Sequence, residues 1–287
     1  MIAETCQFLY YHATYIWDKI GFSRRKGLRI SETTITEGFV FDLWQYAERQ
    51  KLGIEIYEAT SERANGNDVE VFVELNNEYI SLPCQAKIMD KSGRYAKIGH
   101  RVGAELQIDL LIDYAKKEGA IPGYLLYNHE TDKHALAVLK LHRPDDLSHW
   151  GISWTPAMTI EDIYFYRTKT GSKKVKKLPV FASIHPSIGS PFADFVCQLL
   201  HDPEPWKTEL LDYGKKNGYE VILKSASSVR RGNDWEPWSP GAKIGYITQA
   251  NLGREMDLRA KQPAGFRPKY RILFSLERRQ SAIYSVS

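Results

Sequence analysis

Two apolar runs flanking a two-residue turn constrain this chain most. The first is Asn67-Asp68-Val69-Glu70-Val71-Phe72-Val73-Glu74; the second is Tyr79-Ile80-Ser81-Leu82-Pro83-Cys84-Gln85-Ala86-Lys87. Their composition predicts two neighbouring strands. Asn76-Asn77 between them tolerates left-handed backbone and suits a hairpin. Side chains alternate along a strand, so Gln85 and Lys87 face one way and Ala86 the other. Antiparallel pairing lays the start of the first strand beside the end of the second, which brings Asp68 close to Gln85 and Lys87. A lysine inside a buried strand is costly unless paired. Lys87 therefore reads as functional rather than as a snorkelling edge residue. Pro83 is unusual in a central strand and predicts a bulge.

Helices flank this hairpin. Residues 36–50 carry Phe39, Val40, Leu43, Trp44 and Ala47 as one stripe at helical spacing. Glu37 falls at the border of that stripe. It either closes a capping box over Thr34-Ile35-Thr36-Glu37 or meets a metal or water at the sheet edge; the nearby Asp68, Gln85 and Lys87 favour the second. Residues 103–118 form another helix, with Ala104, Ile108, Leu111, Ile112 and Ala115 buried and Gln107 at the border, stopping at Gly119. A buried strand over 122–128 follows. That crossover implies a parallel neighbour and a mixed sheet. The expected fold is α/β, a mixed sheet flanked by helices within one extended domain, its core at about 34–128 and an α+β extension over 130–287.

Elsewhere the pattern predicts a helix over 5–20, a basic loop at 23–26, a strand at 54–57 and a turn at 63–67. The loop 90–101 carries Lys91, Arg94, Lys97 and Arg101. Such cations could grip a phosphate backbone, although a merely solvated loop explains the charge as well. Strands are expected at 135–141 and 218–223, helices at 192–200 and 206–215, and a solvated basic loop at 171–177. Arg259, Lys261, Arg267, Lys269, Arg271, Arg278 and Arg279 suggest a basic face near the end of the chain.

Composition bounds the function. The 287 residues are 43% hydrophobic, enough for a sizeable core, and the net charge of +4 is compatible with nucleic acid without specifying it. Cys6, Cys84 and Cys197 lie far apart and form no CxxC pair. They read as no disulfide framework, hence a reducing, cytoplasmic setting. No signal peptide is recognisable, and no run nears the roughly 20 apolar residues of a membrane span, so no membrane partner is expected. His129, His134 and His142 share no regular spacing and read as surface residues. Ser183, His185 and Asp194 form no triad signature, and no glycine-rich dinucleotide fingerprint occurs.

Glu37 on a helix, then Asp68, then Gln85-x-Lys87 on the next strand, then a helix and a strand, resemble the PD-(D/E)XK nuclease superfamily. The Gln-x-Lys variant is similar to its Mrr-like restriction endonuclease branch, where a supporting glutamine often stands at the helix position of Gln107. The resemblance covers about residues 34–128. Asn67 departs from the proline that precedes the acid in the motif, and Gln85 replaces the second acid, removing one negative charge. The resemblance implies a restriction-endonuclease-like fold and an endodeoxyribonuclease dependent on Mg²⁺ or Mn²⁺, acting on double-stranded DNA in microbial restriction or defence, with a homodimer as one arrangement it admits. Glu37, Asp68, Gln85, Lys87 and Gln107 would be catalytic, the first three also holding metal, and Lys91, Arg94, Lys97 and Arg101 would hold DNA. The rival readings are an inactive nuclease-fold module that binds nucleic acid or a protein, an RNase on the same scaffold, and an unrelated α/β enzyme whose chemistry lies in the second half.

Overall fold

The computed structural model describes residues 1–59, 65–142, 146–230, 235–238, 266 and 268–276, with backbone alone at 65–68 and 142. Two long helices open the chain. α1 (Ile2–Arg25) buries Phe8, Leu9, His12, Ile16 and Ile20, a spacing that keeps one face on the core. It runs past Gly21, which serves close packing: a Cβ there would lie 2.2 Å from His129 Cε1. Most of the predicted basic loop at 23–26 is therefore helix. From its last turn Arg24 donates to the backbone oxygens of Met89 (2.5 Å), Asp90 (2.9 Å) and His129 (2.5 Å). α2 (Glu32–Gln50) begins before its apolar stripe, because Ser31 is the N-cap and accepts from the Thr34 amide at 3.0 Å. The capping box through Glu37 does not form.

β1 (Ile54–Ala59), β2 (Asn65–Leu75) and β3 (Glu78–Ile88) follow. Of the turn expected at 63–67, residues 63 and 64 lie outside the described residues and 65–67 belong to β2. Asn76 and Asn77 take φ of 54° and 69°, the left-handed pair a tight hairpin demands. β2 and β3 pair antiparallel from Asp68↔Gln85 to Leu75↔Glu78 without a register shift, so Pro83 causes no bulge. The reason is geometric. The Ser81 oxygen accepts from Ile121, so the polar groups of Ser81, and by alternation the Pro83 nitrogen, face away from β2. On that side β11 pairs only at Glu78 and Tyr79, and β6 begins at Cys84↔Gly123, one residue later, so Pro83 loses no ladder bond.

A small hairpin, β4 (Arg101–Val102) and β5 (Glu105–Leu106), delays the next helix to α3 (Gln107–Glu118). Gly119 closes it in the left-handed region at φ 63°. β6 (Gly123–Tyr127) then returns parallel to β3, the crossover the sequence predicts. Next come α4 (Lys133–His142), β7 (Ile152–Pro156), α5 (Ala157–Tyr164), β8 (Phe165–Arg167), β9 (Lys173–Val175), α6 (Phe181–Ile184) and β10 (Ser190–Pro191). α7 (Phe192–His201), α8 (Pro203–Lys216), β11 (Lys224–Ser225), α9 (Ala226–Arg230), β12 (Trp235–Pro237) and β13 (Pro268–Phe274) complete the described elements.

Several expectations are corrected here. Residues 135–141 are helix, not strand: only Ala135 and Leu139, four apart, are buried. Residues 218–223 form no strand; the Tyr219 and Ile222 amides bond Gly214 and Gly119 in a packed loop. The basic run at 171–177 contributes β9, and its Lys173 is buried against the Asp109 and Glu161 carboxylates. Cys6 and Cys197 are joined in a disulfide between α1 and α7, with Cα atoms 5.8 Å apart across 191 residues. Three isolated thiols was the wrong reading, because a pairing at that range leaves no mark on local spacing.

The described residues build a nine-stranded mixed sheet in the order β10-β7-β6-β3-β2-β13-β1-β12, with β11 alongside β3. β13 lies between β2, to which it is parallel, and β1, to which it is antiparallel. Lys269 and Arg271, expected on a basic face, are thus threaded into the sheet; Arg259, Lys261, Arg267, Arg278 and Arg279 lie outside the described residues. Helices cover both faces. On one, Val69, Val71, Leu82, Cys84 and Ala86 meet α1, α2 and α7. On the other, Tyr124 and Leu126 meet Ile108, Leu111 and Ile112 of α3 and Ile160 of α5. The fold is mixed α/β, as predicted. No helix among the described residues is long and apolar enough to cross a membrane.

Candidate active site

The register that fixes the hairpin also fixes the site. Asp68 and Gln85 are direct backbone partners in the register of β2 and β3. Gln85 is flanked on its other side by Tyr124 of β6. Gln85 is 1% exposed, and its Oε1 is buried with no hydrogen-bond partner among the described residues. Leaving a buried carbonyl oxygen unsatisfied costs about 1–3 kcal/mol, so this orphan asks for an occupant.

Lys87 lies two residues on, 2% exposed, facing the same way. Its Nζ donates to Gln107 Oε1 at 2.9 Å. The β4–β5 hairpin sets Gln107 as the first residue of α3 and ties its amide to the His100 oxygen at 3.0 Å. The structure therefore brings Gln85, Lys87 and Gln107 together on the face beneath α3, with the backbone of Asp68 opposite Gln85 in the register.

Glu37 stands apart. α2 packs on the opposite face of the sheet, and the Glu37 side chain is 45% exposed rather than at the border of the buried stripe. Its Oε1 accepts from Lys269 Nζ at 2.7 Å. Lys269 sits where the β13 register shifts, between Pro268 opposite Asn65 and Tyr270 opposite Val69. Glu37 thus reaches the end of the sheet where Asp68 lies, but binds a cation there.

One row inward, sequence reasoning missed a buried network. Glu70 is 0% exposed. It accepts from Ser81 Oγ at 2.8 Å, from the Tyr114 hydroxyl at 3.2 Å, and from Arg271 Nη2 at 2.9 Å. Arg271 is the register partner of Glu70 and lies over the rings of Phe72 and Trp235. Burial, reinforced by the Glu70 charge, holds the Tyr114 phenol well above its ordinary pKa and therefore protonated. The only signal for Glu70 was an acid at an inward position of an alternating strand. Glu32 was also missed: buried at the start of α2, it accepts from the Ile88 amide at 3.2 Å and pairs with Lys97 at 3.5 Å.

The loop after β3 is ordered by its own polar groups, with Asp90 Oδ1 accepting from Ser92 and Arg94 amides. Lys97 is committed to Glu32, and Arg101 donates to the Ala104 and Lys173 oxygens. Lys91 and Arg94 are exposed and have no ion-pair partner among the described residues. Among the described residues no three His, Cys, Asp or Glu side chains gather to hold a metal. A carboxylate at 68 and the orphan amide oxygen of Gln85 nevertheless suit a hard cation in kind, since Mg²⁺ takes oxygen donors and keeps several waters.

Fold and site define a mixed α/β protein with a buried amide–lysine–amide cluster on its central strands. The chain belongs to a family of unknown function, DUF6615, whose model matches residues 5–283. No curated protein and no solved structure matches it.

Proposed function

We propose that this chain is a metal-dependent nuclease that hydrolyses DNA phosphodiesters on the face of β2 and β3 under α3. One observation carries the reading: a buried Gln85 oxygen, unpartnered among the described residues, two residues from a buried lysine amine. Neither group is economical in a sheet unless it has chemistry to do. Asp68 and Gln85 would hold Mg²⁺ or Mn²⁺. A bound ion supplies Lewis acidity and a more acidic water. Lys87 stabilises the negative charge that develops on the phosphate oxygens, and Gln107 fixes the direction of its amine. Lys91 and Arg94 hold backbone phosphates without reading sequence.

The test is digestion of plasmid DNA with Mg²⁺ or Mn²⁺, with a parallel RNA arm. Cleavage is expected to fall at least ~100-fold in Lys87→Ala, the scale of a lost charge-stabilising group. Cleavage undiminished in Lys87→Ala and Asp68→Ala would move the chemistry elsewhere. A second reading, a module that binds DNA without cutting it, draws on the missing acid trio among the described residues. Retention of DNA in a gel shift with no cleavage under either ion would favour it.

A further inference from the structure

A groove between α1 and α2 takes no part in the chemistry proposed above. It encloses about 500 Å³, within the range of small-ligand sites. Its floor is aromatic. Phe8 stacks on Tyr46 at 4.9 Å and on His12 at 5.4 Å. Tyr11, 69% exposed, and Tyr15 stand four residues apart on α1 and raise two rings along the rim. Above that buried stack the exposed Tyr11 ring offers a face to a planar guest.

Charge narrows the class of guest. Asp42 Oδ2 lies 3.7 Å from His12 Nδ1. Burial, helped by the nearby Lys19 charge, holds His12 down at about 4, so the ring is neutral and offers one donor and one acceptor. Arg49 lies at the rim with no hydrogen-bond or ion-pair partner among the described residues. Lys19 Nζ already sits 5.1 Å over the Tyr15 ring. Two cations and one acid surround the floor, and one aromatic face is taken by a cation. A cationic guest meets repulsion there; a planar ring with an anionic arm does not.

We propose that this groove binds a nucleotide, its base against the exposed Tyr11 face, its base edge toward Asp42, and its phosphate on Arg49. The nucleotide is either free or an unpaired unit of a strand, which present the same chemistry. The proposal does not rest on the nuclease reading.

Calorimetric titration of the full chain with ribonucleoside 5′-monophosphates, the parent nucleosides and a short single-stranded oligonucleotide tests it. Saturable binding of a monophosphate assigns a free nucleotide; binding of the oligonucleotide alone assigns a strand. Tyr11→Ala is expected to weaken binding about tenfold, as loss of base stacking does. Arg49→Ala is expected to weaken the monophosphate more than the nucleoside. Both positions are exposed, and circular dichroism confirms that the variants fold. No saturable binding, binding unmoved by both substitutions, or preference for tetramethylammonium would overturn the proposal. Lys87→Ala is expected to leave this binding unchanged, so this reading and the nuclease reading fail separately.

Discussion

Lys87 is expensive where it stands. An ammonium 2% exposed on a central strand has lost most of its hydration, and the bond it donates to Gln107 replaces part of it. Lys87→Met keeps the length of the stem and removes the charge. If the amine is kept for chemistry, this variant loses Mg²⁺-dependent cleavage while its melting temperature holds or rises. A clear fall in melting temperature would make Lys87 a structural group. His185 carries a second residue-scale prediction. Its Nε2 lies 2.6 Å from Ser153 Oγ and its Nδ1 3.1 Å from the Phe181 oxygen. Burial lowers its pKa from 6.5 to about 3. The unfolded chain therefore binds a proton that the folded chain refuses over that interval, and stability falls as pH drops through it. His12, lowered to about 4 by burial and then by Lys19, acts with the same sign. Melting temperatures are expected to fall from pH 7 to pH 4. In His185→Gln the fall should be shallower, by on the order of 2–3 kcal/mol at pH 4. Parallel pH profiles for the two proteins would refute it.

At the scale of elements, β13 decides how the site is supported. It enters the sheet between β2 and β1 and delivers Arg271 to Glu70 across a separation of 201 residues. Both partners are withdrawn from water, so removing one strands the other. Arg271→Ala is expected to destabilise the fold by about 3–5 kcal/mol, read from urea unfolding. Glu70→Gln combined with Arg271→Met should recover much of that loss, because the uncompensated charge is gone. Equal losses in the single and double variants would show that packing, not charge, holds the pair. The same strand marks what the sequence could not convey. The β2–β3 hairpin is legible because Asn76-Asn77 and the alternating runs are local, and with it come Asp68, Gln85 and Lys87. Gln107 is legible as a polar residue on the border of a helix stripe. Parallel insertion of β13 is a long-range event, and its Lys269 and Arg271 read as surface charge because their acid partners, Glu37 and Glu70, lie elsewhere in the chain. Residues 135–141 were misread because a dense apolar run fits either period, and only its burial at Ala135 and Leu139 reveals the helix.

For the whole molecule, the Cys6–Cys197 disulfide is the covalent tie among the described residues. It joins α1 to α7, two helices that share the Val69–Val71 face of the sheet. α1 in turn grips the loop after β3 through Arg24, next to the candidate site. The bond closes a loop across 191 residues, so it restricts the unfolded chain far more than it reshapes the folded one, and long loops stabilise most in that account. Reduction is expected to lower the unfolding free energy by about 2–4 kcal/mol while circular dichroism of the native protein is unchanged. Cys6→Ser should match reduced wild type, and reductant should have no further effect on that variant. Thiol titration of the denatured chain provides the check: one reactive group, from Cys84, without reductant, and all three cysteines with it. Three reactive thiols without reductant would mean that the two helices pack without the covalent tie, and that the stability of this face comes from its apolar contacts alone.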